Sequence, residues 1–577
     1  MPVHNADIAA IFDEMADLLE IEGANPFRIR AYRNAGRTVR DLPREITAML
    51  EKQEDLAELP SIGKDLAAKI KEIVETGTTA ALEEHRRAVP GTLTELLRIP
   101  GIGPKRVRTL YHDLGIRTIS QLQMAAQEGR VRALPGFGEK TERHLLDQLT
   151  ARMGEAKRFT LAAASQYAES LMTYLKQSPA VTRVVAAGSY RRAKETIGDL
   201  DILVTATSAG AVMDRFVSYP EVVEVLARGA TKASIRLACK LQVDLRVVPK
   251  ESYGAALQYF TGSKAHSVAL RQLAQQHGLK LNEYGVFKGD QAIAGATEEA
   301  VYESLGLSWI PPELREDRGE LAAAQEGRLP RLVELTDLRG DLHAHTIATD
   351  GRNTIQEMAA SARAAGLEYL AITDHFKRLA MAKGLDSKRL SEQLDQIDRL
   401  NGAAIGVTLL KGIEVDILED GTLDVPERDL SRLDLVVGAV HSHFGLPREK
   451  QTERILRAMD RRYFTILAHP SGRLINERPP YEVDMLRVIR HARDRGCFLE
   501  LNANPIRLDL TDIDCLMAKE AEVLVSINSD SHSVLDLRNL QYGIGQARRG
   551  WLGKHDILNA RPLRMLRPLL KRTMLGT

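Results

Sequence analysis

The chain has 577 residues, enough for about four domains at roughly 150 residues each, and its 79 Lys and Arg against 78 Asp and Glu give a net charge of +1. That balance excludes a whole-chain attraction to nucleic acid or membrane, so any such binding must be local, and 44% hydrophobic with 27% charged residues excludes disordered, fibrous and collagen-like classes. Cys239, Cys497 and Cys515 suggest neither a disulfide framework nor a thiolate metal site, the acidic start from Met1 to Glu20 lacks a basic export region, and no apolar run approaches the roughly 18 to 20 residues of a membrane span, so a cytoplasmic protein is expected.

Residues 1 to about 155 read as short amphipathic helices with apolar spacing near 3.6, as in Ile8, Ile11, Phe12, Met15, Leu18 and Leu19. Leu59-Pro-Ser-Ile-Gly63, Ile99-Pro-Gly-Ile-Gly103 and Leu134-Pro-Gly-Phe-Gly138 repeat one turn, each followed by a Lys-containing helix. The first N–H groups of such a helix, at the positive end of its dipole, can take a phosphate. Lys64, Lys105 and Lys140 follow the second Gly of each repeat, and Arg28, Arg30 and Arg33 add local positive charge.

From about 180 the period changes to 2, predicting strands over Val181 to Ala187, Leu200 to Thr205 and Leu241 to Val248. Asp199 and Asp201 stand two apart on one strand and therefore share a face. Asp244 interrupts a second apolar strand, and a third carboxylate beside such a pair makes a site for two hard divalent cations, Mg²⁺ fitting best. The turn Ala187-Gly-Ser-Tyr-Arg-Arg192 offers backbone N–H groups, a hydroxyl and cations suited to a triphosphate. The charged stretch Glu313 to Arg331 reads as a linker or an exposed helix.

Beyond 337 the pattern is β then α, repeated seven times. Candidate strands are Arg339 to His345, Tyr369 to Asp374, Thr408 to Val415, Leu433 to Val440, Phe464 to Ala468, Cys497 to Asn502 and Val523 to Asn528. Such alternation predicts a parallel sheet, and seven repeats suit a closed barrel, whose chemistry lies at the C-terminal ends of its strands. Those ends read His343-Ala-His345, Asp374-His375, Glu414, His441, His469 and Asp530-Ser-His532, and eight of the fifteen histidines lie between 343 and 532. Imidazoles and carboxylates without thiolates suit Zn²⁺, Mn²⁺ or Fe²⁺, and the ligands are too many for one ion.

Asp-Leu-His343-Ala-His345-Thr with Asp350-Gly, Thr-Asp-His375, Gly-Ile-Glu414, Gly-Ala-Val-His441, Leu-Ala-His469-Pro and Ser-Asp530-Ser-His532 resembles the PHP (polymerase and histidinol phosphatase) domain over about 240 residues. The resemblance implies a phosphoesterase with a trinuclear site: His343, His345, Glu414 and Asp530 around one ion, Glu414, His441 and His469 around a second, Asp350, His375 and His532 around a third. Asp350 departs from the His often found there, and His443 is kept as a substrate contact.

Gly188-Ser189 with Arg192, Gly198-Asp199-x-Asp201, Asp244 and Tyr259-Phe-Thr-Gly-Ser263 are similar to the palm and thumb of family X DNA polymerases, the family of DNA polymerase beta, with the likeness reaching from residue 1 to about 317. It implies that Asp199, Asp201 and Asp244 are catalytic and hold two Mg²⁺ or Mn²⁺ ions. Ser189 and Arg192 would take the β- and γ-phosphates, with Gly188 and Gly198 close to the triphosphate. Tyr259, Phe260 and Gly262 would pack on the sugar, and Arg271 would reach the minor groove. Gln242, Lys264 and Ser267 depart from relatives near the primer end and the incoming base. The repeated turns resemble helix-hairpin-helix motifs, which implies non-specific phosphate contacts through Ile62, Gly63, Lys64, Lys69, Gly101, Gly103, Lys105, Gly136, Gly138 and Lys140. Ser61 replaces the usual Gly, and Lys69 matches a lyase nucleophile of some relatives but reads better as a phosphate contact or a solvated lysine.

The fold class expected is therefore multidomain: α-helical helix-hairpin-helix domains, an α+β nucleotidyltransferase palm and thumb, and a C-terminal α/β PHP barrel of seven distorted repeats. Expected boundaries are 1–85 and 86–155 for the helical DNA-binding and fingers regions, 156–250 palm, 251–317 thumb, 318–336 linker and 337–577 PHP domain. The combination resembles the bacterial PolX family. It implies a DNA polymerase filling short gaps in base-excision-type repair on gapped or primed DNA with deoxynucleoside triphosphates, and a 3′-5′ exonuclease whose barrel uses Mn²⁺ or Zn²⁺. A monomer is favoured. The rival readings are a phosphatase for small monoesters with a vestigial polymerase, or an inactive DNA-binding scaffold.

Overall fold

The first helix, Asn5–Glu22, turns Ile8, Phe12, Met15, Leu18 and Leu19 inward and packs on Pro26–Asp41, with Gly23 in the left-handed region ending it. This is the computed structural model of the chain, which describes residues 3–575 apart from 43, 89–92, 94, 95, 97, 98, 100, 101, 140, 144, 147–157 and 377–383. The chain forms two compact units, Met1–Arg158 and Phe159–Thr577. In the first, Gly63 and Gly103 stand as N-caps of the helices Lys64–Thr76 and Pro104–Leu114, the geometry the repeated turns predict. Gly101 and Lys140 lie outside the described residues, and Lys105 is described only in its backbone.

The second unit begins with a five-stranded sheet of β1 (Val181–Ala186), β2 (Asp199–Ala206), β3 (Val222–Arg228), β4 (Lys232–Leu237) and β5 (Gln242–Val247), ordered β1-β2-β5-β4-β3. Only β2 and β5 are parallel, and their register sets Asp201 directly opposite Asp244. The helices Tyr253–Thr261 and Lys264–Gln276 follow, then a three-stranded antiparallel sheet over 280–294.

The stretch from Glu313 to Arg331 is not a solvated spacer. Arg315 is fully buried, donating to Glu298 Oε1 at 2.7 Å beside Arg191, and Glu320, also fully buried, meets His266 Nδ1 at 2.6 Å. Charge density in a sequence reads as solvent exposure; here Arg315 and Glu320 find distant polar partners and are buried with them, while Glu326 and Arg328 stay exposed. Burial works against ionisation of Glu298, yet hydrogen bonds from Arg191 and Arg315 and their charges hold its carboxyl down to about 2. A carboxyl depressed in the folded state stabilises fully above its ordinary value near 4.5 and loses that contribution as pH falls toward 2. Glu298→Gln is accordingly expected to lower stability at neutral pH by about 3 kcal/mol and to flatten the acid limb of a Tm-against-pH curve. A variant melting with the wild type at pH 7 would contradict this.

Beyond it lie β6 (Gly340–Asp341), β7 (Tyr369–Ile372), β8 (Thr408–Lys411), β9 (Glu414–Asp416), β10 (Val437–Ala439), β11 (Ile466–Leu467), β12 (Phe498–Asn502) and β13 (Val525–Asn528), all pairing in parallel. The expected strand Thr408 to Val415 divides at Gly412, where a Cβ would meet the Ile372 carbonyl at 3.0 Å and Thr373 at 2.7 Å, and the sheet becomes two ladders, β6-β7-β8 and β9 through β13. Bridges His375 to Glu414 and Ala344 to Ser531 link the ladders at their ends. Alternate strand residues enter two cores: Leu342, Tyr369, Ala371, Leu410, Val437, Ile466 and Phe498 pack together inside, while Leu370, Ile372, Leu409, Leu467, Leu499 and Val525 pack outward on the helices. Burial on both faces explains the continuous apolar runs in the sequence. No helix among the described residues is long and apolar enough to cross a membrane.

Candidate active sites

Asp199 and Asp201 open β2, and Asp244 faces Asp201 from β5. Burial first, then the charges of Asp199 and Asp244, push the Asp201 carboxyl up to about 7, so these oxygens crowd in a place that calls for positive charge. The backbone makes room for it: Gly188 has φ +60°, and a Cβ there would stand 2.2 Å from Asp201 Oδ2. Asp244 is held from both sides, by the Ser234 hydroxyl and by Gln242 Nε2 at 2.9 Å. The ligand oxygens of Asp199, Asp201 and Asp244 do not all close to within 4.8 Å of one another.

Around them, Asp201, Asp244, Arg246 and Phe260 line one small cavity. The rings of Tyr259 and Phe260 meet edge to face at 5.0 Å, with the Arg246 guanidinium 4.4 Å from the Phe260 centroid and Arg271 5.9 Å from that of Tyr259. Arg192 donates from Nη1 to the Thr261 carbonyl and from Nε to Glu316 Oε1 at 3.0 Å. Gly262, at φ +66°, closes the helix of Tyr259 and Phe260, and a Cβ on it would lie 3.1 Å from Arg192 Nη1. Ser189 sits in the short helix Gly188–Arg191, and Gly198 joins the strand Thr196–Ile197 to β2. Lys264 is exposed, whereas Ser267 is buried and its carbonyl accepts from Arg271 Nε at 3.1 Å.

The histidines gather at one end of the second sheet system. Glu414, 2% exposed, is the hub: Oε2 lies 3.4 Å from His343 Nε2, 3.5 Å from His345 Nε2 and 3.0 Å from His375 Nδ1, while Oε1 lies 3.3 Å from His441 Nε2 and 3.2 Å from His469 Nε2. Asp530 Oδ1 stands 3.3 Å from His345 Nε2 and 3.6 Å from His343 Nε2. Asp350 Oδ2 stands 3.5 Å from His375 Nε2 and 3.4 Å from His532 Nε2, so Asp fills the place expected of a His. Among the described residues three groups could each hold an ion: His345, Asp350, His375 and His532; His343, His345 and Asp530; His375, Glu414 and His441. His345 and His375 each join two of them. His343 Nε2, both His345 ring nitrogens and His469 Nδ1 are buried without a hydrogen bond, a costly state for polar atoms that cation coordination would relieve. The residues present fit divalent cations.

Surrounding groups fix the rings. Glu500, fully buried, accepts from His343 Nδ1 at 2.7 Å and from the His469 N–H at 2.9 Å, and Asp416 Oδ1 meets His441 Nδ1 at 2.6 Å. Asp530 and His469 hold φ of +51° and +29°, sparsely populated for residues with side chains; Asn502 Nδ2 donates to Asp530 Oδ2 at 2.9 Å. Asp374 is taken up by Thr346, Thr349 and Gln393 and stands behind the cluster as a support. His443 is turned to Glu419 at 3.7 Å, outside the hub. Burial first and then Arg507 lower His469 to about 4; Arg507 Nε lies 3.7 Å from Asp530 Oδ2. Sequence reading missed Glu500, Asp416, Arg507 and Ser234; a carboxylate inside the apolar run Phe498–Asn502 was the one available signal. Glu500→Gln is expected to weaken Mn²⁺ binding roughly 10- to 100-fold in titrations of the metal-stripped protein, and an unchanged affinity would show that Glu500 does not orient His343.

In the helical unit Ile62 is buried and Lys64 exposed, and a Cβ on Gly63, Gly103, Gly136 or Gly138 would meet nothing within 4 Å, leaving the turn surfaces open. Ser61 holds φ +58° where Gly136 of the third turn holds +80°, so the glycine of the third turn adopts freely what the serine of the first strains to adopt. Lys69 pairs with Asp65 at 2.5 Å, and Arg33 is turned onto Asp17 and Glu20.

The sequence matches a helix-hairpin-helix domain over residues 3–79, a SAM-like helix-hairpin-helix tandem over 93–151, the DNA polymerase beta palm over 161–248 and thumb over 256–316, and the PHP domain over 341–504. It is 36% identical over 574 residues, 99% of this chain and 100% of the relative, to the DNA polymerase/3′-5′ exonuclease PolX of Bacillus subtilis. A probable phosphatase of Thermoanaerobacter sp. is 29% identical over 234 residues, 38% of this chain and 89% of that one. Another, of Acetivibrio thermocellus, is 35% identical over 166 residues, 28% of this chain and 64% of that one.

Proposed function

The chain belongs to the PolX family, family X DNA polymerases joined to a C-terminal PHP domain, and from that premise we propose how its two sites divide the work. It is a DNA polymerase and a 3′-5′ exonuclease; the reading proposed is that it fills short gaps during DNA repair in the cytoplasm and trims 3′ ends with the PHP half. The single observation that carries this reading is the presence in one chain of two separate anionic clusters, crowded carboxylates under an arginine and an imidazole-carboxylate hub.

In this reading Asp199, Asp201 and Asp244 hold two Mg²⁺ or Mn²⁺ ions. Ser189 and Arg192 take the β- and γ-phosphates, Gly188 and Gly198 allow close approach, Tyr259, Phe260 and Gly262 receive the sugar, and Arg271 reaches the nascent pair. His343, His345, Glu414 and Asp530, then Glu414, His441 and His469, then Asp350, His375 and His532 hold up to three Mn²⁺ or Zn²⁺ ions. Divalent ions bound there supply Lewis-acid activation of the attacking oxygen and neutralise phosphate charge. Glu500 and Asp416 orient His343 and His441, and Arg507 meets the phosphate from the open side. Ile62, Gly63, Lys64, Gly101, Gly103, Lys105, Gly136, Gly138 and Lys140 grip the DNA backbone irrespective of sequence, and Lys69, tied to Asp65, serves as a phosphate contact. The proposed division of the chain is 1–85, 86–155, 156–250, 251–317, 318–336 and 337–577.

Metal removal tests the reading. On gapped DNA with a 5′-labelled primer, the chelated protein is expected neither to extend nor to shorten the primer; Mg²⁺ with deoxynucleoside triphosphates restores extension, and Mn²⁺ without them restores shortening. Shortening that survives chelation, or hydrolysis of small phosphate monoesters without any attack on DNA ends, would contradict it.

A further inference from the structure

The triphosphate end of the polymerase site is walled partly by the other half of its unit. Arg549 ends the helix Leu540–Arg549, beyond the metal hub in sequence, and its side chain is only 2% exposed. Its Nη1 donates to Glu316 Oε1 at 2.9 Å and to the main-chain carbonyl of Arg192 at 3.0 Å, and its Nη2 donates to Asp512 Oδ2 at 2.6 Å. The same Glu316 oxygen accepts from Arg192 Nε at 3.0 Å. We infer that Arg549 is a positioning residue of the polymerase site, acting through Glu316 and the Arg192 carbonyl to hold the Arg192 guanidinium in the plane that meets the triphosphate. The inference rests on the reading of Arg192 as a triphosphate ligand.

A guanidinium binds phosphate well only when its planar fork is presented in a fixed orientation. Two nitrogens of Arg192 are already committed, Nε to Glu316 and Nη1 to the Thr261 carbonyl, so its plane is set by where Glu316 stands. Burial opposes the charge of Glu316, but Arg549 first and Arg192 second keep its carboxyl below its ordinary range. Arg318 Nη1 shares Asp512 with Arg549, at 3.0 Å. Arg192, Lys194, Arg318 and Arg549 thus surround Glu316 and Asp512, so the positive groups outnumber these two carboxylates and favour an incoming anion.

The turn that follows the phosphate helix is clamped by the same surface. Arg473 holds Glu195 with two bonds, at 3.2 and 2.7 Å, and the helix of Arg549 comes so close that a Cβ on Gly545 would lie 3.1 Å from that of Ala193. Without Arg549, Glu316 would lose one of the two guanidiniums that donate to it, and its remaining pair with Arg192 would compete more directly with the triphosphate for that guanidinium.

The test is single-nucleotide insertion on gapped DNA by full-length Arg549→Met, Arg549→Lys, Arg192→Ala and Glu316→Gln proteins, with the Arg549→Met/Glu316→Gln double variant. Arg549→Met is expected to raise the KM for the nucleotide about tenfold with kcat changed by less than about threefold, and Arg549→Lys to recover part of the loss. In the double variant the two effects should not add, because one acts through the other. Hydrolysis of bis-p-nitrophenyl phosphate at the PHP site should be unchanged by Arg549→Met; an equal loss there would reduce Arg549 to a general structural role and overturn the inference. If Arg192→Ala leaves the nucleotide KM unchanged, the reading of Arg192 fails and the inference with it. If Arg192→Ala raises that KM and folded Arg549→Met does not, the inference alone fails. Should Arg549→Met not fold, Asp512→Asn, which loosens Arg549 while keeping its charge, is expected to raise the nucleotide KM in the same direction, and no rise would overturn the inference.

Discussion

Glu414→Ala is expected to lower 3′-end degradation by about a thousandfold or more while extension of a gapped primer continues. Glu414 presents its two oxygens to five imidazoles, His343, His345 and His375 on Oε2 and His441 and His469 on Oε1. In the proposed reading its removal would take a carboxylate ligand from the centre of the cation cluster. Electrostatic activation by a bound cation is worth several kcal/mol, and each 1.4 kcal/mol is about tenfold in rate. The loss should also appear as fewer Mn²⁺ ions bound per chain by equilibrium dialysis. Degradation at one-tenth of the wild-type rate or better would remove Glu414 from the centre of the mechanism.

Asp201→Asn is expected to abolish extension by a comparable factor while leaving 3′ degradation intact. It should do so without destabilising the metal-free protein, which separates loss of chemistry from loss of fold. The Asp201 carboxyl is raised to about 7 from its ordinary 3.8, by burial and then by Asp199 and Asp244. A carboxyl raised in the folded state costs stability as it ionises: the penalty grows as pH rises above 3.8 and is complete above about 7. In chelator at pH 8 the variant is therefore expected to melt at or above the wild-type Tm, and at pH 5 the difference should shrink. A variant that melts well below wild type at pH 8 would mean that Asp201 supports the fold by some other contact.

What could be read in the sequence was local. Ligand-type residues at the ends of apolar runs mark His343, His345, His375, His441, His469, Asp530 and His532 because a strand delivers its last side chains to one end of a sheet. Asp199 and Asp201 are legible from the two-residue strand period alone. The groups that hold these ligands come from elsewhere in the chain. Ser234 meets Asp244 as its direct partner on the adjacent antiparallel strand, but Glu500 reaches His343 across 157 residues and Arg549 reaches Glu316 across 233. No spacing rule connects such partners. The same limit explains Arg315 and Glu320, which read as solvated charges but are buried against Glu298 and His266. It also explains Gly412, which divides an expected strand because of a close approach from the neighbouring segment at Ile372 and Thr373.

That one chain carries two chemically independent sites can be decided on a single gel. A gapped duplex with a 5′-labelled primer is incubated with wild type, Asp199→Ala/Asp201→Ala and His343→Ala proteins, each with Mn²⁺, with and without deoxynucleoside triphosphates. Wild type is expected to lengthen the primer with nucleotides and to shorten it without, the double aspartate variant only to shorten it, and the histidine variant only to lengthen it. Extension by the aspartate variant, or shortening by the histidine variant, would show that the two activities do not reside in these two separate sites.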